Sequence, residues 1–232
     1  LLAKKKMEQK FECKYCGTKF HRESTLSTHM CVKKQRYLDI NTGGFRYGFR
    51  TFQRYYTLMM KSKKPKTQDE FINSSYYIDF VKFGNHIDLL KPVHVDQYID
   101  FVILSGLKMT KWATDPVYEL YIENLSKTEP PHSAVERTIQ FMVDWSEKNS
   151  SDFVKFFSTI SPNEAAHYIR TGRISPWVLY LSASGDDLVS QFNEDHAKMI
   201  GTVIDPGFWM RTFRKKEDDV EDIKNILAQA GL

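Results

Sequence analysis

Cys13, Cys16, His29 and Cys31 are the residues of this 232-residue chain whose types and spacing carry a chemistry, and that chemistry is metal coordination. All three cysteines of the chain fall in this one stretch. Pairing two of them would strand the third, so the pattern points to thiolate ligands in a reducing compartment and not to a disulfide framework. Two thiolates separated by two residues, with an imidazole further on, supply three of the four donors that a tetrahedral Zn2+ site takes. The fourth donor is open at this level. Cys31 lies two positions past His29, and residues i and i+2 do not share a helix face. Cys31 therefore reaches the same ion only where the helix ends or tightens near Met30. His21, a water or a partner's side chain are the alternatives.

These ligands need elements to hold them. Phe11 to Phe20 reads as a hairpin, with Gly17 free to take the positive φ that the turn after the second cysteine requires. Arg22 to Met30 reads as a helix that sets Leu26 beside Phe20. A core of so few side chains cannot hold the segment together unaided, so the bound metal must supply most of its folding energy.

Across residues 11–31 the pattern Cys13-x2-Cys16-x3-Phe20-x5-Leu26-x2-His29 resembles the two-cysteine, two-histidine (C2H2-type) zinc-finger family. The departure is the last ligand. Lys33, Lys34 and Gln35 stand where a second histidine would fall, which makes the segment a C2HC-like variant if Cys31 completes the site. The resemblance implies a ββα module that meets DNA through the residue before its helix and through the helix's exposed turns, here Arg22, Ser24, Thr25 and Thr28. It further implies a paired contact of Arg22 with a guanine edge, and contacts of Thr25 or Thr28 with a thymine methyl or a base acceptor. A helix shortened at the variant ligand would sit differently in a groove. A single finger also reads only about three base pairs, so other contacts are needed.

Charge suggests where those contacts lie. Residues 1–66 hold 17 basic and 4 acidic side chains, and residues 67–232 hold 16 basic and 25 acidic, so a basic N-terminal part is joined to an acidic remainder. A basic segment suits a polyanion partner, because each phosphate neutralised releases counterions. Lys19, Lys33, Lys34 and Arg36 flank the finger. Phe45, Tyr47 and Phe49 then alternate with Arg46, Gly48 and Arg50 at the two-residue period of an extended strand, which places rings on one face and arginines toward phosphate on the other. From Thr51 the period becomes helical, with Phe52, Tyr55, Tyr56 and Met59 in a stripe and Arg54 off it. Lys61, Lys63, Lys64 and Lys66 read as an exposed linker around Pro65. Three segments are expected: an arm with the finger over 1–36, a basic aromatic segment and linker over 37–66, and an acidic helical body over 67–232.

Punctuation in the body predicts helices opening at Pro92, at Thr114-Asp115-Pro116 and near Val135. Further helices are expected at the capping box Ser161-Pro162-Asn163-Glu164, at Ser175-Pro176 with a stop near Gly185, over Asn193 to Ile204, and over Glu217 to Ala230. The fold class is mainly α, a small ββα zinc finger followed by a compact multi-helix domain. His86 with Asp88, and His94 with Asp96 and Asp100, match no catalytic spacing. The chain also lacks a phosphate-binding glycine loop and a His-Glu-x-x-His motif.

The sequence thus reads as a non-enzymatic adaptor that binds DNA, or RNA in its place, through the finger and engages proteins through the acidic body. The rival reading is an assembly protein of a large complex or viral particle, with the finger as a docking arm. No apolar run reaches about 18 residues, and Leu1-Leu2-Ala3-Lys4-Lys5-Lys6 is too short for a secretory signal. A soluble intracellular protein, cytoplasmic, nuclear or virion-associated and without a membrane partner, is expected.

Overall fold

The computed structural model describes residues 10–232, so the opening lysine run Lys4, Lys5 and Lys6 lies outside the described residues. A two-stranded hairpin precedes a large helical array. The chain forms two compact units, Leu1–Lys91 with Val95–Ala113, and Pro92–His94 with Thr114–Leu232. Positions 36 and 66, where composition suggests boundaries, both fall inside the first unit. By sequence the first unit carries 21 basic and 10 acidic side chains and the second 12 and 19, so opposite net charges accompany the two units.

In the first unit, strands β1 (Phe11–Glu12) and β2 (Lys19–Phe20) pair antiparallel with Phe11 opposite Phe20. Helices α1 (Glu23–Thr28) and α2 (Val32–Leu38) follow, then a 3-10 turn over Asp39–Asn41. Helix α3 (Gly43–Leu58) is next. After it come α4 (Gln68–Ile72), α5 (Tyr77–Leu90), α6 (Val95–Leu104) and α7 (Met109–Trp112).

Helix α3 corrects the extended reading of Phe45 to Arg50. The Thr42 hydroxyl accepts from the Phe45 amide at 3.2 Å and starts the helix eight residues before Thr51 would. Phe45, Phe49 and Phe52 are also spaced four and three apart, and at that period all three reach one aromatic partner. Phe71, fully buried, has its ring centre 5.2 Å from Phe45, 5.7 Å from Phe49 and 5.2 Å from Phe52. Alternation alone reads as a strand, but Phe45 and Phe49 also stand four apart, and the cap together with the longer stripe decides for the helix. Met59, expected on that stripe, lies past the helix end and is 49% exposed.

Glycines set how closely α3 meets α5. A Cβ on Gly84 would stand 2.2 Å from the Gly44 carbonyl oxygen, and one on Gly48 would stand 2.9 Å from the Phe80 carbonyl oxygen. Backbone therefore meets backbone at this crossing, and a side chain at either place has no room.

The second unit holds α8 (Asp115–Thr128), α9 (Pro131–Lys148), α10 (Phe156–Thr159), α11 (Pro162–Arg170) and α12 (Pro176–Leu181). Helices α13 (Ala183–Val189), α14 (Glu194–Ile200), α15 (Pro206–Lys215) and α16 (Glu217–Ala230) complete it. The capping box of Ser161 with Glu164 is formed, and Gly172 follows α11 at φ +74. Gly185 does not stop α12. The Ser182 side chain caps a new helix by accepting from the Gly185 amide, which leaves Gly185 inside α13. The expected helix over Asn193 to Ile204 is likewise shorter. Trp177, Trp209 and Phe213 form one core cluster, with ring centres 5.1 to 5.9 Å apart. Among the described residues, no helix is long and apolar enough to cross a membrane.

Candidate metal centre and basic surface

The hairpin brings the first two cysteines together through backbone bonds. The Cys13 amide donates to the Thr18 carbonyl at 2.9 Å, and the Gly17 amide donates to the Cys13 carbonyl at 2.8 Å, with Gly17 at φ +71. Helix α1 then carries the chain back over the strands and stops at Thr28. His29 (φ −67, ψ 122) and Cys31 (φ −97, ψ 162) are both extended, and Cys31 is at once the residue that starts α2. The condition for Cys31 to join the site, a helix ending before Met30, is met.

The four donor atoms of Cys13, Cys16, His29 and Cys31 lie within 4.8 Å of one another. The Cys13 and Cys31 sulfurs are 4.0 Å apart, and the Cys16 sulfur is 3.3 Å from His29 Nε2. Zinc bonds of about 2.3 Å to sulfur and about 2.0 Å to nitrogen, disposed tetrahedrally, put neighbouring ligand atoms about 3.6 to 3.8 Å apart. The cluster matches that scale. Its sulfur separation is far beyond the roughly 2.05 Å of a disulfide. The chain thus holds a compact Cys3His ligand set of the C2HC zinc-binding kind, attached to a helical domain.

Electrostatics within the cluster favour a cation. Hydrogen bonding with the Thr18 hydroxyl, then with the Thr18 backbone, and then with the His29 ring pulls the Cys16 thiol down to about 6. At Cys31 the Lys34 amide, donating to sulfur at 3.3 Å, favours the thiolate. Burial and the neighbouring sulfurs of Cys16 and Cys13 outweigh it, and the Cys31 thiol is pushed up. Crowded sulfurs that resist sharing negative charge are what a bound dication relieves. Phe20 backs the His29 ring at 4.8 Å, and the Lys34 ammonium donates to the His29 carbonyl at 3.0 Å.

The residues singled out from the sequence for nucleic-acid contact divide into two groups, with Lys34, bound to the His29 carbonyl, apart from both. Arg22, Thr25, Thr28, Lys33 and Arg46 are exposed, as is Lys19, which sits 3.7 Å from Glu12. Arg22 immediately precedes α1, and the Thr28 hydroxyl donates to the Ser24 carbonyl at 3.0 Å. The second group is engaged within the first unit. Arg36 donates to the Ile72 carbonyl at 2.5 Å and lies over the Tyr77 ring at 4.2 Å. Arg50 pairs with Asp96 at 2.5 Å, and Arg54 grips both oxygens of Asp100. The segment expected to aim Arg46 and Arg50 at phosphate as a strand is helical, and the acids of α6 take up Arg50 and Arg54.

Two of the remaining histidines are held by local side-chain bonds, and His94 meets neither Asp96 nor Asp100 in them. His94 meets the carboxylate of Glu129 at 2.9 Å, and His196 meets Asn163 at 2.8 Å. Lys14, Tyr15, Lys33, Tyr37 and Asn73 line an open cleft beside the metal site, and of these the sequence singles out Lys33 alone. Lys14 and Tyr15 stand between the two ligating cysteines, a position that itself signals proximity to the metal. Comparison of the chain with protein-family models, with curated proteins and with solved structures finds no match, so the site is read from its own geometry.

Proposed function

We propose that the chain is a nucleic-acid-associated protein that acts without catalysing a reaction. Zn2+ in the Cys13/Cys16/His29/Cys31 site holds the N-terminal hairpin and α1 as a rigid basic module. The module contacts DNA, with RNA as the alternative polymer, and the acidic second unit engages protein partners. Three thiolates and an imidazole in a tetrahedral set suit Zn2+ above harder cations, which prefer oxygen donors. The observation that carries the reading is the ligand cluster itself. It fixes α1 with its polar face, Arg22, Thr25 and Thr28, turned to solvent on the more basic of the two units. Lys19, Lys33 and Arg46 extend the accessible charge, while Arg36, Arg50 and Arg54 are bonded to neighbours within the first unit.

The test is metal analysis coupled to nucleic-acid binding at several salt concentrations, on the intact chain and on one lacking residues 1–36. Stoichiometric zinc, and an affinity that falls as salt rises only when the module is present, is the expected result. Zinc without salt-dependent binding would reject the nucleic-acid reading. It would favour the second one, a zinc-fixed docking arm in a large assembly, which Met30, Val32 and Leu38 support by their exposure of 55%, 67% and 56% beside the metal site.

A further inference from the structure

The cleft beside the metal site has the chemistry of a binding site that the duplex-reading face of α1 does not include. It measures about 180 Å3 and is lined by Lys14, Tyr15, Lys33, Tyr37 and Asn73. Three separately fixed elements build it. Lys14 and Tyr15 belong to the turn held by Cys13 and Cys16, Lys33 and Tyr37 stand four apart on α2, and Asn73 closes α4.

The two rings lie 5.1 Å apart, tilted by 44°, and both residues remain partly exposed. The Lys14 ammonium sits 4.9 Å from the centre of the Tyr15 ring. The Tyr37 hydroxyl donates to the Asp69 carboxylate at 2.5 Å, and the Asn73 amide donates to the Asp69 carbonyl at 2.7 Å. These bonds set one wall before any ligand arrives, and the turn between Cys13 and Cys16, closed by the bond from the Gly17 amide to the Cys13 carbonyl, carries the other.

We propose that this cleft takes one unpaired nucleotide of a single-stranded nucleic acid, its base on the tyrosine rings and its phosphate between Lys14 and Lys33. The inference rests on the nucleic-acid reading above and names the form of the polymer. A base within a duplex is covered on both faces by its neighbours, so only an unpaired base can offer a face to a tyrosine. The two ammoniums alone would suit any anion, and it is the pair of partly exposed rings beside them that favours a base with its phosphate. The Asp69 carboxylate is the acidic group that Tyr37 touches, so the phosphate is expected at the lysine rim, away from it.

The experiment uses the intact, zinc-loaded chain with a labelled oligonucleotide, presented as a single strand and as the matching duplex. The single strand should bind more tightly. Tyr15→Leu and, separately, Tyr37→Leu should each weaken it about tenfold with duplex binding unchanged, and Tyr37→Phe, which keeps the ring but loses the bond to Asp69, should bind more tightly than Tyr37→Leu. Photocrosslinking of an iodouracil-containing strand to the unaltered chain should map to Tyr15 or Tyr37, which decides the matter even if a leucine variant loses its metal. Binding of neither form overturns the nucleic-acid reading itself. Binding that ignores both tyrosines, with crosslinks elsewhere, overturns the cleft alone. Displacement of the strand from the cleft only by a phosphorylated peptide that binds more tightly assigns the site to a protein ligand and overturns the proposal.

Discussion

His29 and Cys31, two positions apart, offer their donor atoms to one metal position because the chain is extended at both of them. In a helix such residues diverge, whereas in extended chain i and i+2 line the same side. Met30 between them is 55% exposed, as the alternation requires. The helix of a C2H2-type finger would continue here to a second histidine. This chain instead breaks after Thr28 and starts α2 at Cys31, so one residue serves as ligand and as helix start.

Cys31→Ser is expected to remove the ligand and spare the helix start, since a serine hydroxyl caps α2 as well as the thiol does. The apparent binding energy of a structural zinc site is about 10–16 kcal/mol, so one donor of four carries about 3 kcal/mol, or roughly a hundredfold in affinity. Competition with a chromogenic chelator measures it. An affinity within a factor of about three of the parent would assign the fourth ligand elsewhere, with His21 the first to test.

Acid should weaken the second unit through Glu129. Burial alone pushes its carboxyl up, but the forked bond from Arg137 and the bond with His94 outweigh that, and the net shift is downward from the ordinary 4.5. A depressed folded-state value means the stabilisation is complete above 4.5 and is lost as pH falls through the lower folded value. Glu129→Gln leaves Arg137 without its counter-charge in a largely buried place, at a cost of about 3 kcal/mol at neutral pH. Chemical unfolding at a series of pH values should show the variant less stable at neutrality and less dependent on pH below 4.5. Parallel curves for the two proteins would remove Glu129 from the acid response.

What is legible in the sequence is whatever local rules decide. Ser161 with Glu164, the prolines at 116, 162 and 176, and the ligand spacing all mark features that a few neighbouring residues determine. The stretch from Phe45 to Arg50 is not legible in that way, because its alternation reads as a strand while Phe45 and Phe49, four apart, also fit one helix face. Phe71 and Gly84, partners distant in sequence, resolve it. The engagement of Arg50 and Arg54 is hidden for the same reason. Their partners Asp96 and Asp100 are 46 positions away, and composition counts charges without pairing them.

Gly84→Ala should destabilise the first unit by about 1–3 kcal/mol, toward the upper end, since its Cβ would meet the backbone of Gly44 at 2.2 Å and backbone cannot swing aside. Gly106 supplies the contrast. It has φ +71 with nothing within 4 Å of a built Cβ, so Gly106→Ala should cost only the conformational strain, about 1 kcal/mol. Denaturant midpoints of the two variants, with zinc content as a check on the finger, should rank in that order. Equal midpoints would mean that α3 and α5 separate with ease.

Two pairs of arginines should behave in opposite ways in nucleic-acid binding. Arg22 and Arg46 are exposed, so Arg22→Ala with Arg46→Ala should weaken DNA binding about tenfold and reduce the salt slope by about 0.9 for each phosphate that is no longer neutralised. Zinc content and thermal stability should stay as in the parent, because neither residue touches the ligands or the core. Arg50 and Arg54 are held by Asp96 and Asp100, so Arg50→Ala with Arg54→Ala should chiefly lower stability. The loss should be about 1 kcal/mol, since both pairs are partly exposed and solvent screens them. Affinity for DNA should be nearly unchanged in that variant. If the second pair instead reduces affinity and the first does not, the phosphate-binding surface lies on α3 beside α6 and the metal module serves only to hold the fold.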